Sequence, residues 1–433
     1  MGLAPRNGRI SPQCSTFSRL GGGKKIEWKC RTSDSESLPS LRDWVSRCIV
    51  FPPVCGGQFL GIAARLRRGL PALTGLFPMR LTNRVLFLVL WLLLPAWASK
   101  VPRETPGDPP PPDLLLEGGR KLSFERSFSS EQDVRGKPGF WTKLLDAVVG
   151  EPEHPYLVRP YSIAVDSRGR VIVTDPGAKG VHIFDFDRHK YRFVERAESY
   201  QDPMVAPQCV AVDAQDNIYV TDSESGKIFV FDSDGKFHRA LGSLRGGEGY
   251  FKRPTGVAVD SVAQRIYVTD TLRDQIFVLD MQGQVMQTIG EHGTGNLQFN
   301  LPTELRLEND GLIVVDAMNF RVQFVDRGGS FQGSIGEVGD SPSGIFRPKG
   351  IALDSEDHLY VVDGFRGMVQ VYDREGQLLY YFGGKGVRPG EFQLPAGLVI
   401  DKQDRVFVVD SYNRRVQVFH YYGRPKQAAG ERP

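Results

Sequence analysis

The chain has 433 residues, with 54 Lys plus Arg against 51 Asp plus Glu and a formal net charge of +3. Its 40% hydrophobic and 24% charged residues are enough for a large core, and 48 Gly with 29 Pro indicate many turns, which excludes collagen, coiled coil and wholesale disorder. The charge is unevenly spread: residues 1–78 hold 12 basic and 4 acidic groups, residues 79–100 add three basic groups, and residues 101–433 carry 39 basic against 47 acidic, or −8. Four of the five cysteines (Cys14, Cys30, Cys48, Cys55) also lie in the first 78 residues, without metal-ligand or CxxC spacing.

Residues 1–78 are rich in Arg, Gly, Ser and Pro with no sustained hydrophobic period, and read as a basic extension that is non-genuine or disordered. From Met79 the order changes to MRLTNR, then VLFLVLWLLLP, then AWA before Ser99. A charged start, an apolar run and an Ala-x-Ala site are what a secretory signal peptide over 79–98 requires. The apolar run is shorter than the roughly 20 residues a membrane-spanning helix needs. The expectation is therefore cleavage and an extracytoplasmic protein, periplasmic or secreted, with membrane tethering if the segment stays uncleaved. Residues 99–113, including PGDPPPPD, read as a Pro-rich linker. Phe140 to Val149 read as a short amphipathic helix.

A fixed period then dominates. Pro160, Pro207, Pro254, Pro302, Pro348 and Pro395 each open a short apolar stretch, at intervals of 47, 47, 48, 46 and 47. Second elements follow as VIVTD, IYVTD, IYVTD, LIVVD, LYVVD and VFVVD, ending at Asp175, Asp222, Asp270, Asp316, Asp363 and Asp410. Third elements run from VHIFD to VQVFH, and weaker fourth elements close on Gly242, Gly290, Gly336 and Gly383. All are rich in Val, Ile, Tyr and Phe, and the turns between them carry Asp, Asn and Gly. Four strands repeated at this spacing predict propeller blades, with repeats near 159–200, 206–242, 253–290, 301–336, 347–383 and 394–420.

The sixth copy lacks a fourth strand, since the stretch after His420, residues 422–433, reads as a polar tail. Leu114 to Phe128 has strand character, so it is expected to supply the missing outer strand and close the ring of a propeller over 114–421.

The motifs P-x-G-[IV]-A-V-D, IYVTD and x-N-x-R-V-Q-V-F-D resemble the NHL repeat, and six copies in register cover about 262 residues. The resemblance implies an all-β fold: a six-bladed propeller of four-stranded NHL blades, of the kind found in exported bacterial proteins. It also implies alternatives for function. Propellers of this family bind proteins or RNA, while a related group holds metal enzymes, the peptidyl-hydroxyglycine amidating lyase and the sugar lactonases.

Candidate sites follow from the residues. The six repeat aspartates suit bonds to backbone amides or basic loop residues better than a cation ring, because a residue that recurs in every blade is structural first. Blade four breaks the pattern with TELRLE, which puts Glu304 and Arg306 on one side of the inner strand, either as a self-satisfied pair plugging the channel or as a ligand anchor at its mouth. Loops before strand one and after strand two should share a face carrying His154, His292, Glu151, Glu291 and Glu337, with Lys227, Arg273, Arg321, Arg366 and Arg415. Zinc catalysis needs three converging histidines, and only two of the seven fall in such loops, so no metal and no catalytic residue is assigned; Ca or Zn belongs to the enzyme alternative. Cys209 fills a small-residue slot and reads as a buried thiol. The −8 charge of residues 101–433 disfavours nucleic acid, leaving a protein, peptide or glycan on the loop face of a monomeric propeller.

Overall fold

In a computed structural model, residues 108–135, 155–195, 203–243, 249–308, 311–336 and 343–424 are described. The chain divides into two units, Met1–Pro95 and Ala96–Pro433, and every described residue belongs to the second. The basic extension, the signal peptide and the helix expected at 140–149 lie outside the described residues.

Six antiparallel sheets form the blades, and in the first five the strands lie in chain order from the inside outward. The inner strands are Ile163–Val165, Pro207–Val212, Pro254–Asp260, Pro302–Glu308, Pro348–Leu353 and Pro395–Ile400. Each neighbours the next, and the sixth neighbours the first, so the ring closes around a central channel. The second strands are buried end to end in blades one, two, four and five, as their unbroken apolar runs require of a layer covered on both sides. One apolar cluster sits at each junction between blades, for example Ala164, Ile172, Val210, Val220 and Phe229 between blades one and two. Tight turns link third and outer strands. In blade two Asp232 Oδ1 accepts the amides of Asp234 and Lys236, and Gly235 supplies the positive φ of 77° that the turn demands.

The ring closes where the missing strand pointed. Lys121–Phe128 pairs antiparallel with Arg415–Tyr422, from Lys121 opposite Tyr422 to Phe128 opposite Val416, and Leu114–Leu115 adds a short fifth strand. Phe128 is buried at the junction of blades six and one, with ring centroids 4.9 Å from Phe184 and 5.0 Å from Phe186. The last part of the expected linker departs from the spacer reading. Pro109–Pro112 line a groove with Phe124, Tyr381, Phe382 and Phe419, because an apolar cleft beside the closing strand takes up the proline rings. A Cβ on Gly390 would meet Pro111 Cγ at 2.8 Å, which marks how closely the segment lies.

The glycine of P-x-G is explained by the channel wall. A Cβ on Gly397 would lie 2.7 Å from the Tyr161 carbonyl oxygen, and one on Gly350 2.5 Å from the Leu398 amide nitrogen. The next inner strand passes where a side chain would stand.

The loop face and the central channel

The residues before each inner strand bond to the residues after the second strand, so both loop sets share one edge. The Thr271 amide donates to the Arg253 carbonyl at 3.0 Å, Gly364 to Arg347 at 3.0 Å, and Tyr412 to Gln393 at 3.1 Å. Beneath this edge the six aspartates are fully buried. Asp175 accepts the amides of Val158 and Arg159 at 2.6 and 2.9 Å, Asp222 those of Val205 and Ala206 at 2.6 and 3.0 Å, and Asp270 those of Lys252 and Arg253 at 2.8 and 3.0 Å. Asp363 accepts the Phe346 and Arg366 amides at 3.0 and 2.9 Å. Asp316 and Asp410 gather side chains as well: Asn319, Arg321 and Gln323 for the first, Asn413, Arg415 and Gln417 for the second. Burial pushes the Asp410 carboxyl up despite Arg415 beside it. In Asp175 burial has the same tendency, but the His182 imidazole 3.5 Å away and the loop amides outweigh it and hold the carboxyl below its ordinary value.

The loop arginines named from the sequence turn inward. Arg321 Nη2 donates to the Gly295 and Gln298 carbonyls at 2.6 and 2.9 Å, and Arg415 Nη2 to those of Arg388 and Glu391 at 2.8 and 2.9 Å. Arg366 Nη1 donates to the Gly344 carbonyl at 2.6 Å, and Arg273 Nη2 to that of Tyr250 at 3.0 Å with its guanidinium over the Tyr250 ring. Lys227 is buried. The four arginines hold loops onto blades and do not converge. His292 is exposed and 3.0 Å from Asp274 Oδ2, and Glu291 accepts a hydrogen bond from Gln298 at 2.9 Å. His154, Glu151 and Glu337 lie outside the described residues. Among the described residues no group of three or more His, Cys, Asp or Glu side chains has the geometry to hold a metal ion.

A different set occupies the surface of this edge. Arg159, Lys252, Arg253 and Arg347 are exposed and have no ion-pair partner among the described residues; Arg159 lies over the Tyr412 ring with 5.5 Å to its centroid. Val205, Leu272, Phe346, Phe365, Leu394 and Tyr412 are exposed between them, and the Phe346 and Phe365 centroids are 4.8 Å apart. Sequence reasoning missed these cations, although each stands one or two residues before an aligned proline.

The channel holds an alternating column of charge. Lys349, at the start of the blade-five inner strand, reaches the blade-one Tyr161 hydroxyl at 3.4 Å and its ring at 5.3 Å. Next in the column, Glu304 is buried, with one carboxylate oxygen 2.9 Å from Arg306 Nη2 but off the hydrogen-bond axis. The guanidinium goes on to donate to the carbonyls of Ile163 in blade one at 3.2 Å and Leu398 in blade six at 2.9 Å. Glu308 follows, its carboxyl raised by burial. Burial also raises the Glu304 carboxyl, with Arg306 and Lys349 pulling the other way. Cys209 borders the column, with its sulfur 3.5 Å from Ser162 Oγ and its thiol pushed up by burial and by Glu304. The blade-four pair thus sits inside the channel, clasping blades one and six, with Lys349 the cation nearer the mouth.

Sequence comparison adds to this geometry. The NHL repeat matches residues 206–231 and 392–419, and a family described as a 6-bladed beta-propeller matches residues 257–335. The chain carries NHL repeats within a six-bladed propeller. A search of curated proteins finds no match. Among solved structures the NHL propeller is similar to virginiamycin B lyase from Staphylococcus aureus, at 15% identity and a TM-score of 0.46, covering 70% of this chain and 99% of that one. It is also similar to a protein of unknown function from Bacteroides thetaiotaomicron, at 16% identity and a TM-score of 0.48, covering 72% and 84%. A chain of a nidogen–laminin complex is 18% identical with a TM-score of 0.43, covering 62% and 91%. These likenesses carry nothing about substrate or partner.

Proposed function

We propose that the NHL propeller is an exported binding or assembly module whose loop face engages a protein, peptide or glycan partner. The observation behind this reading is the surface of the loop edge, where exposed Phe346, Phe365, Leu272, Leu394 and Tyr412 stand among exposed cations that have no ion-pair partner among the described residues. Apolar side chains gathered on one face and rimmed by polar groups are the usual mark of an interaction site. The channel, by contrast, is filled by its own charges and leaves Glu304 and Arg306 engaged with each other. The runner-up is a secreted metal-dependent lyase or lactonase, which would need zinc or calcium.

The test is affinity capture from an extracytoplasmic fraction with the native protein and a Phe346→Asp/Phe365→Asp variant, alongside metal analysis of the purified protein. Loss of a captured partner in the variant is expected. Equal capture by both proteins, or stoichiometric zinc or calcium with hydrolytic or lyase activity, would replace the binding reading.

A further inference from the structure

The residue just before each aligned proline reads Arg159, Ala206, Arg253, Leu301, Arg347 and Leu394 around the six blades. Arginine therefore recurs in every second blade, and closure of the ring sets the three residues a third of a turn apart around the channel mouth. All three are exposed. Lys252 stands beside Arg253, and Lys349 lies near the mouth above Glu304. Among the described carboxylates of this edge the repeat aspartates are buried beneath it, Glu291 is bonded to Gln298, Glu391 accepts the Arg388 amide, Asp274 lies against His292, and Glu224 is exposed. These exposed arginines sit on a chain whose residues 101–433 carry −8.

Resting on the binding-module reading, we propose that the partner segment is an acidic peptide whose carboxylates meet Arg159, Arg253 and Arg347 while its apolar side chains sit between them. Two features select a peptide over a nucleic acid or a sulfated glycan. The positions between the arginines are Ala206, Leu301 and Leu394, with Val205 and Leu272 near them, and aliphatic surface of this kind fits side chains that neither phosphates nor sugars provide. The net negative charge of residues 101–433 opposes a long polyanion, whereas a short acidic segment can meet the three arginines alone.

The experiment measures fluorescence anisotropy of the full chain with a short labelled peptide of glutamates interspersed with leucine and phenylalanine. Lysine-for-glutamate peptide, oligo(dT) and heparin are run in parallel. The acidic peptide is expected to bind and to weaken with salt. Each single Arg→Ala change should cost about two- to threefold and the triple about tenfold or more, since exposed charge pairs contribute modestly and in sum. A triple variant within twofold of the native protein overturns the proposal, as does equal binding of the lysine peptide. Tighter binding of oligo(dT) or heparin that the triple variant loses reassigns the arginines to a polyanion. If the acidic peptide fails while Phe346→Asp/Phe365→Asp still abolishes capture of a partner, the charge assignment falls and the binding-module reading stands.

Discussion

Replacing Arg306 by Met probes the channel column directly. The change removes the 2.9 Å ion pair to Glu304 and both donations to the Ile163 and Leu398 carbonyls, leaving a carboxylate buried without its counter-charge. Breaking one side of a buried pair costs about 3–5 kcal/mol, and that is the loss expected at pH 8. The pH dependence identifies the cause. Burial already holds the Glu304 carboxyl above its ordinary 4.5, so the group favours the folded state most below that value and loses the contribution as pH rises through its folded pKa. Without Arg306 the folded pKa climbs further, and the variant's deficit should shrink on acidification from pH 8 to 5 by up to about 1.4 kcal/mol for each added unit. Glu308, which also feels Arg306, acts in the same direction. Urea denaturation of the native and variant proteins across this range measures the difference. A deficit that is the same at pH 5 and pH 8, or a Glu304→Gln/Arg306→Met double variant as unstable as the single, would refute the reasoning.

Gly397→Val should lower stability by about 1–3 kcal/mol, because its Cβ meets the Tyr161 carbonyl oxygen at 2.7 Å and the Ser162 Cα at 2.8 Å, and overpacking costs that much; thermal melting reads it. Phe128→Ala should cost about 3–5 kcal/mol by emptying the junction of blades six and one. Hydrogen exchange should then rise first in Arg415–Tyr422, and a uniform rise across all blades would contradict the closure role of the strand.

The blades were legible in the sequence because each one repeats the same solution: a strand periodicity, an aspartate to tie the loop, a glycine where the next wall passes. The closing strand was legible by subtraction, since blade six lacked an outer edge and Leu114 to Phe128 had no other place. What the sequence did not disclose is where long side chains point. Arg273, Arg321, Arg366 and Arg415 fall in the correct loops, yet their guanidinia turn to backbone carbonyls beneath the face, and the exposed cations are the neighbours Arg159, Arg253 and Arg347. Arg306 bonds to residues 143 and 92 positions away, a reach that no local spacing encodes. A subtler pattern lies at the ends of the second strands. The Thr of TD in blades one to three donates across to the next inner strand, Thr174 to the Gln208 carbonyl at 2.5 Å and Thr221 to that of Thr255 at 2.8 Å, whereas blades four to six have Val there.

The closing strand also sets an order of events in time. Lys121–Phe128 leaves the ribosome nearly three hundred residues before its partner, as the bond between Glu125 and His420 records with a separation of 295. Until Arg415–Tyr422 appears, the early strand has no sheet to join and five blades stand as an open arc with two raw edges. Loop closure over that length is slow and exposes strand edges to other chains. Ring closure therefore waits for the final blade, and a chain cleaved before residue 415 would lack the partner of its closing strand.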